Sequence, residues 1–261
     1  MRHATAAVAA ALVCAALASR MDAQGGPMAA AAAQPSNRQA DTLKTSLGDL
    51  RILPIYHGSV MLEFAGRVIH IDPWSRGDYT GLPQADMIVI THTHADHMDR
   101  SIIDKLRKPT TVMVAPAAVA DTLNAFPVET VADTEKRTVM GIAFEGVPMY
   151  NLVQGHGPGM PFHHKGIGSG YVLGFGDTRL YISGDTECTP EMKALKGITV
   201  AMVGMNPPRT MSTAEAADCV KAFRPAIAYP IHYRGQKPED FSAALAGTSI
   251  DVRIRKLEGE S

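Results

Sequence analysis

The chain has 261 residues, a formal net charge of −1, 46% hydrophobic residues and 20% charged residues. That suffices for one large domain with a substantial core, and a near-neutral balance without a Lys/Arg run leaves no electrostatic footprint for nucleic acid or an anionic membrane. Three cysteines in a chain of this length exclude a disulfide framework.

Arg2 and His3 precede an alanine-rich apolar stretch from Ala4 to Ala18 that includes Leu12, Val13 and Leu17. It is too short and too weakly apolar for a stable membrane span. Residues 1–23 read as a secretory signal, with small residues at Ala16, Ala18 or Ala23 to offer cleavage; an alanine-rich helix belonging to the domain is the plainer alternative. Residues 24–46 are rich in Ala, Gly, Gln, Pro and Ser and read as a flexible linker. The domain is therefore expected over residues 47–261, and the mature protein in the periplasm or outside the cell. Removal of the leader would leave Cys188 and Cys219. They can pair in an oxidising compartment, but spacing alone gives no distance; Cys188, three residues after Asp185, could approach a metal but reads rather as a small buried residue near the loop.

Leu50–Tyr56, Val60–Phe64 and Val68–Asp72 are apolar runs broken at His57-Gly58-Ser59 and at Ala65-Gly66-Arg67, which predicts a β-meander. His57 reads as a loop histidine and His70, inside a strand, as structural. Asp86–Ile90 predicts a buried strand and Asp99 an N-cap, followed by a helix carrying Ile102, Ile103 and Leu106 on one face. Thr111–Ala115 predicts a strand, Ala117–Ala125 a helix and Thr138–Phe144 a strand; Gly146 then reads as a turn before Val147–Tyr150. Gln154–Gly170 is a long polar stretch with His156, His163 and His164, read as a substrate loop. Gly170–Phe175, Leu180–Ser183, Ile198–Val203 and Ala226–Ile231 read as strands; Thr189-Pro190-Glu191 and Ser212–Glu215 open helices. Alternating sheet and helix without internal repeats argues for one layered α/β domain.

Between the strand at Asp86–Ile90 and its helix lies Thr-His-Thr-His-Ala-Asp-His-Met-Asp, residues 91–99. His92 and His94, two apart on extended backbone, leave on the same side, and Asp96 and His97 follow where the chain turns. Nitrogen and oxygen donors packed at a strand end suit a borderline divalent cation such as zinc. Gly184-Asp185-Thr186 exposes a carboxylate on a sharp turn, and His232 ends a buried strand. Alone, each of these two is weak.

Together the motifs resemble the metallo-β-lactamase superfamily, with Ile71-Asp72-Pro73, His92-x-His94-x-Asp96-His97, Ser183-Gly184-Asp185-Thr186 and Pro230-Ile231-His232-Tyr233 in the order that superfamily uses. Val147–Asn151, Phe162–Lys165 and Pro190–Lys193 are similar to the small metal-dependent hydrolases related to the L-ascorbate phosphate lactonases. The resemblance implies a four-layer αββα sandwich. It implies one metal site on His92 and His94 and another on Asp96, His97 and His232, with Asp185 between them. Asp72 would sit behind a histidine ligand, a role balanced here against that of a turn or cap aspartate. Asp96 could also pass a proton to the leaving group.

The implied activity is metal-dependent hydrolysis of an ester, lactone, amide or phosphodiester of a small molecule, with one or two Zn²⁺ and with Mn²⁺ or Fe as alternatives. A metal-binding or sensing protein without turnover is the second reading. The chain departs from the superfamily in one place. Where the first site normally receives a third histidine at a strand end, it has Asn151. Three readings stay open: Asn151 ligates weakly, a loop histidine (His163 before His156) takes the place, or a single metal works on His97, Asp185 and His232. Gly204-Met-Asn-Pro-Pro-Arg209 replaces a glycine-rich rim, and Arg209 faces either an anionic substrate or solvent. Substrate and oligomeric state are not written in the sequence.

Overall fold

The computed structural model describes Met1, residues 38–123 and residues 127–257. The leader expected over residues 1–23 and most of the arm lie outside the described residues. Strands β1 (Asp41–Thr45), β2 (Gly48–Tyr56), β3 (Ser59–Phe64) and β4 (Arg67–Ile71) pair antiparallel in chain order. The same sheet continues in parallel through β5 (Ala85–Val89), β6 (Arg107–Ala115) and β7 (Val128–Thr130), with α1 (Arg100–Leu106) and α2 (Ala117–Thr122) in the crossovers. Then come β8 (Lys136–Val139), β9 (Ile142–Met149), a small hairpin of β10 (Gly155–Gly157) and β11 (Met160–Pro161), β12 (Gly168–Phe175) and β13 (Thr178–Ile182). After α3 (Pro190–Lys193), β14 (Val200–Gly204), α4 (Thr213–Phe223), β15 (Ile227–Ile231), α5 (Pro238–Ala244) and β16 (Asp251–Val252) complete a second seven-stranded sheet in the order β16-β15-β14-β13-β12-β9-β8.

The period of two along each strand builds the layers. In β5 and the residue after it, Met87 and Val89 face the core between the sheets, whereas Ile88 and Ile90 pack with Ile102, Ile103 and Leu106 of α1 and Val119 of α2. In β14, Val200 and Met202 face the same central core, whereas Ala201 and Val203 pack against α4 through Ala216, Ala217 and Val220. Two sheets with helices on both outer faces are the expected αββα sandwich. Asp99 caps α1 by accepting from the Ser101 amide, and Ser212 with Glu215 forms the capping box of α4, both as read from the sequence. Among the described residues no helix is long and apolar enough to cross a membrane.

Three expectations need correction. Residues 41–45 are not linker but β1, an edge strand whose alternating Asp-Thr-Leu-Lys-Thr turns only Leu43 toward the core and so carries little hydrophobic signal. Gly146 does not turn the chain but lies inside β9; the hairpin turns at Met140 and Gly141, both at positive φ (50° and 80°), the backbone of a tight two-residue turn. The polar stretch over residues 154–170 is partly ordered, with β10, β11 and the start of β12 within it. Val128–Thr130 and Pro238–Ala244, unassigned in the sequence, are β7 and α5. Cys188 and Cys219 form a disulfide that joins the loop after β13 to α4.

Candidate metal centre

Eight strand-end or loop segments meet at one edge of the sandwich. His57 follows β2, Asp72 follows β4, His92, His94, Asp96 and His97 follow β5, Asn151 follows β9, and His163 follows β11. Asp185 follows β13, Arg209 follows β14 and His232 follows β15. The sheets are laced together here. The Ser169 amide donates to the Thr91 carbonyl at 3.0 Å, and the His232 amide donates to the His57 carbonyl at 3.0 Å. Gly184, at φ +59°, lets the turn before Asp185 press against Thr91; a Cβ there would stand 2.5 Å from the Met149 sulfur. His57, Asp72 and His232 also hold positive φ (54°, 44° and 49°), backbone strain concentrated where the donors converge.

One group of donor atoms comprises His92, His94, His163 and Asp185, another His97, Asp185 and His232, and a third His57, Asp96 and His232; within each the atoms lie within 4.8 Å of one another. His163 Nε2 is 3.1 Å from His94 Nδ1 and 3.7 Å from Asp185 Oδ2, and His92 Nε2 is 4.0 Å from that same oxygen. The other oxygen, Asp185 Oδ1, is 3.2 Å from His97 Nε2 and 3.3 Å from His232 Nε2. Asp185 thus faces a different histidine set with each oxygen. His92 Nε2, His97 Nε2, His232 Nε2 and both Asp185 oxygens are buried and make no hydrogen bond. Buried polar atoms are ordinarily satisfied, because leaving one unpaired costs about 1–3 kcal/mol. Five such atoms aimed at one another, all nitrogen or carboxylate oxygen, fit one or two divalent cations.

Hydrogen bonds behind the site fix which ring nitrogen faces inward. Asp72 accepts from the Thr91 amide at 2.7 Å, the Thr91 hydroxyl at 2.6 Å and His97 Nδ1 at 2.8 Å. The Thr91 hydroxyl, donating to Asp72, accepts from His92 Nδ1 at 3.0 Å. One carboxylate therefore occupies Nδ1 of His97 directly and Nδ1 of His92 through Thr91, which turns both Nε2 atoms toward the centre, as a ligand histidine needs. Asp72 lies behind these donors, bonded to His97 directly and to His92 through Thr91.

The electrostatics agree with this geometry. Burial opposes charge on His97, but the Asp185 and Asp72 carboxylates overcome it and raise its pKa well above the usual imidazole value. Burial also opposes ionisation of Asp185, and His232 and His97 hold it well below the carboxylate range. Asp96 is likewise held ionised against its burial by close pairing with His232 and His57. His92 and His94 are pushed down chiefly by burial, and His163 falls to about 4 for the same reason, so all three imidazoles stay neutral at pH 7.

His163 is brought to the site; His156 is exposed and packs edge-on against Phe162, and His164 is exposed. Asn151 does not face the donors: its Oδ1 accepts from His163 Nδ1 at 2.7 Å and from the His163 amide at 2.9 Å. His57 corrects the loop-histidine reading. It is buried, its ring lies 3.4 Å from that of His232, and its Nε2 is 3.4 Å from Asp96 Oδ2. Nothing in the local sequence marks it, because its partners come from distant segments, Asp96 after β5 and His232 after β15. His70 is structural as expected, with Nε2 3.0 Å from the Pro83 carbonyl. Arg209 is exposed, its guanidinium 5.4 Å from the Phe162 ring.

Residues 51–232 match the family described as the beta-lactamase superfamily domain. The chain is 38% identical to a crystallised Parabacteroides distasonis protein described as a metal-dependent hydrolase, covering 85% of this chain and 100% of that one with a TM-score of 0.79. A metallo hydrolase from Ignicoccus hospitalis shares the fold at 20% identity, covering 80% of this chain and 95% of that one, with a TM-score of 0.68. An Aeropyrum pernix protein described as a metal-dependent hydrolase is 29% identical over 232 residues, 81% of this chain and 96% of its own. By the match over most of its length and the donor set at its sheet edge, this chain belongs to the beta-lactamase superfamily.

Proposed function

We propose that the chain is an exported hydrolase that binds two divalent cations, zinc foremost with manganese or iron as alternatives. Its reaction is cleavage of an ester, lactone, amide or phosphodiester bond of a small molecule. The observation that carries the reading is the set of buried, unbonded His Nε2 and Asp185 oxygen atoms converging from two sheets. His92, His94 and His163 with one Asp185 oxygen would hold the first cation. His97, His232 and Asp96 with the other oxygen would hold the second, with the His57 ring packed at a tilt against His232 and directed at Asp96. A divalent cation, when bound there, would supply water ionised near neutral pH and would offset negative charge developing on the substrate oxygen. Asp72 and Thr91 keep His97 and His92 in the ligating tautomer. Asp96, with its side chain 28% exposed, would accept a proton and hand it to the leaving group. The Cys188–Cys219 disulfide supports export, because such bonds persist in oxidising compartments.

The test is metal analysis of the purified protein, chelation and reconstitution, with hydrolysis of ester, lactone, β-lactam, amide and phosphodiester substrates followed at each stage. Two bound cations and metal-restored turnover of one substrate class are expected. Metal uptake without turnover would place the chain among metal-binding or sensing proteins, and no uptake would overturn the reading. N-terminal sequencing of protein from its native host should begin between Gln24 and Ser46, or just after Ala18; retention of Met1 would overturn export.

A further inference from the structure

Glu187 lies two residues beyond Asp185 and belongs to no motif read from the sequence. Its side chain is buried, and no lysine or arginine pairs with it among the described residues. The charge is met by amides instead. Oε2 accepts from the Leu152 and Val153 amides, both at 3.0 Å; Oε1 accepts from the Gln154 amide at 2.7 Å and from Asn151 Nδ2 at 3.3 Å. Three successive backbone N–H groups wrapped on one carboxylate form an anion cradle, here filled by the protein itself. The Glu187 amide also donates to the Tyr150 carbonyl at 3.1 Å, so the segment after β13 and the segment after β9 are bound to each other on both sides of Asn151.

Asn151 in turn has no freedom. Its Oδ1 receives the His163 amide, a donor whose identity is fixed by the backbone, and its Nδ2 donates to the Arg209 carbonyl at 2.8 Å. These two bonds decide which end of the amide is oxygen. His163 Nδ1, 2.7 Å from that oxygen, must then carry the proton, and the lone pair lies on Nε2, facing His94 and Asp185. A histidine on an irregular loop would otherwise sample both tautomers and several rotamers.

We propose that Glu187 and Asn151 are positioning residues that make His163 a ligand: Glu187 clamps the turn over residues 152–154, and the clamped Asn151 amide fixes the tautomer and direction of His163. This rests on the metal-centre reading above and adds a residue-level control of the first cation position alone. His97 and His232 depend on neither residue. Neutralising Glu187 should therefore empty one position and leave the other. In Glu187→Gln one end of the side chain becomes a donor. It then opposes either the Leu152 and Val153 amides or the Gln154 amide and Asn151 Nδ2, whichever way the amide turns.

The experiment measures zinc stoichiometry and affinity by chelator competition on the full chain, with histidine ¹⁵N NMR reporting the His163 tautomer in metal-free protein. Wild type should bind two zinc ions and show His163 protonated on Nδ1. Glu187→Gln and Asn151→Ala should weaken one zinc by about tenfold or more while the other is held at wild-type affinity, and should shift His163 toward the Nε2-protonated form. Val153→Ala, which removes an exposed side chain but keeps the amide, should change neither readout. Retention of the second zinc shows that a variant is folded. Equal loss of both ions, full retention of both, or an unchanged His163 tautomer in the variants would overturn the relay. A wild-type chain that takes up no zinc would overturn the metal-centre reading instead. The tautomer of His163, which needs no metal, then decides the relay by itself.

Discussion

Asp72 is the residue whose removal tests the proposed metal centre most sharply, because a single carboxylate holds Nδ1 of His97 directly and of His92 through Thr91 and offers no donor atom to the cluster itself. In Asp72→Asn the side chain keeps one oxygen. With that oxygen toward His97, it still accepts from His97 Nδ1 and the Thr91 hydroxyl, but its amide nitrogen is driven against the Thr91 amide now 2.7 Å away. With the amide reversed, the Thr91 amide is satisfied, but His97 Nδ1–H and the Thr91 hydroxyl both point at an NH₂ group. Either orientation leaves one buried N–H opposed by another donor, a loss of about 1–3 kcal/mol of folding stability. The metal effect is separate. Losing the carboxylate partner of a ligand histidine lowers its basicity and loosens its orientation, which costs about 10–100-fold in metal affinity, or roughly 1.4–2.7 kcal/mol. Zinc competition and urea unfolding should both be run on metal-free and loaded protein. The loaded form should lose more stability than the metal-free form, since it loses both terms. Asp72→Asn with zinc affinity within about twofold of wild type would refute the argument that Asp72 orients His97 and His92.

Asp185→Asn should abolish tight binding of both cations, since each of its oxygens faces a different histidine set; loss of one ion only would show that it does not bridge. His57→Ala should weaken the second cation by about tenfold, because it removes the ring packed against His232 and the partner of Asp96; unchanged affinity would return His57 to an ordinary buried histidine. Cys188→Ser with Cys219→Ser opens a cross-link between residues 31 apart, for which chain entropy predicts a loss of about 3–4 kcal/mol, read as a lower urea midpoint; an unchanged midpoint in oxidising buffer would contradict it. Asp41 accepts from Tyr229 and from Arg255, and these partners outweigh its burial to hold its folded pKa below the unfolded 3.8. Its contribution is therefore fully present above pH 4 and fades as pH falls through the folded value, so Asp41→Asn should lower Tm at pH 7 and converge with wild type in strong acid; an equal gap at both ends would rule out the charge pairing.

What the sequence by itself determined are the features whose cause is local. His92, His94, Asp96 and His97 share one short turn, so spacing and strand-end geometry bring them together whatever the rest of the chain does. The alternation of Met87 and Val89 against Ile88 and Ile90 writes the layers into one strand, and the caps at Asp99 and Ser212 are bonds between near neighbours. The motif order linked Asp72, Asp185 and His232 to them only as a resemblance. The tertiary structure alone decided the rest, because each remaining contact depends on how two distant strand ends are registered. His57 joins the site because β2 ends beside β15 of the other sheet, where its carbonyl receives the His232 amide. β1 is a strand only because an edge of the sheet is there to pair it. The choice between Asn151 and His163 rested on a few ångströms of loop path, set by Glu187 and the Arg209 carbonyl from two other segments. Long-range hydrogen bonds of that kind leave no periodicity in the chain, since neither partner constrains the residues next to it.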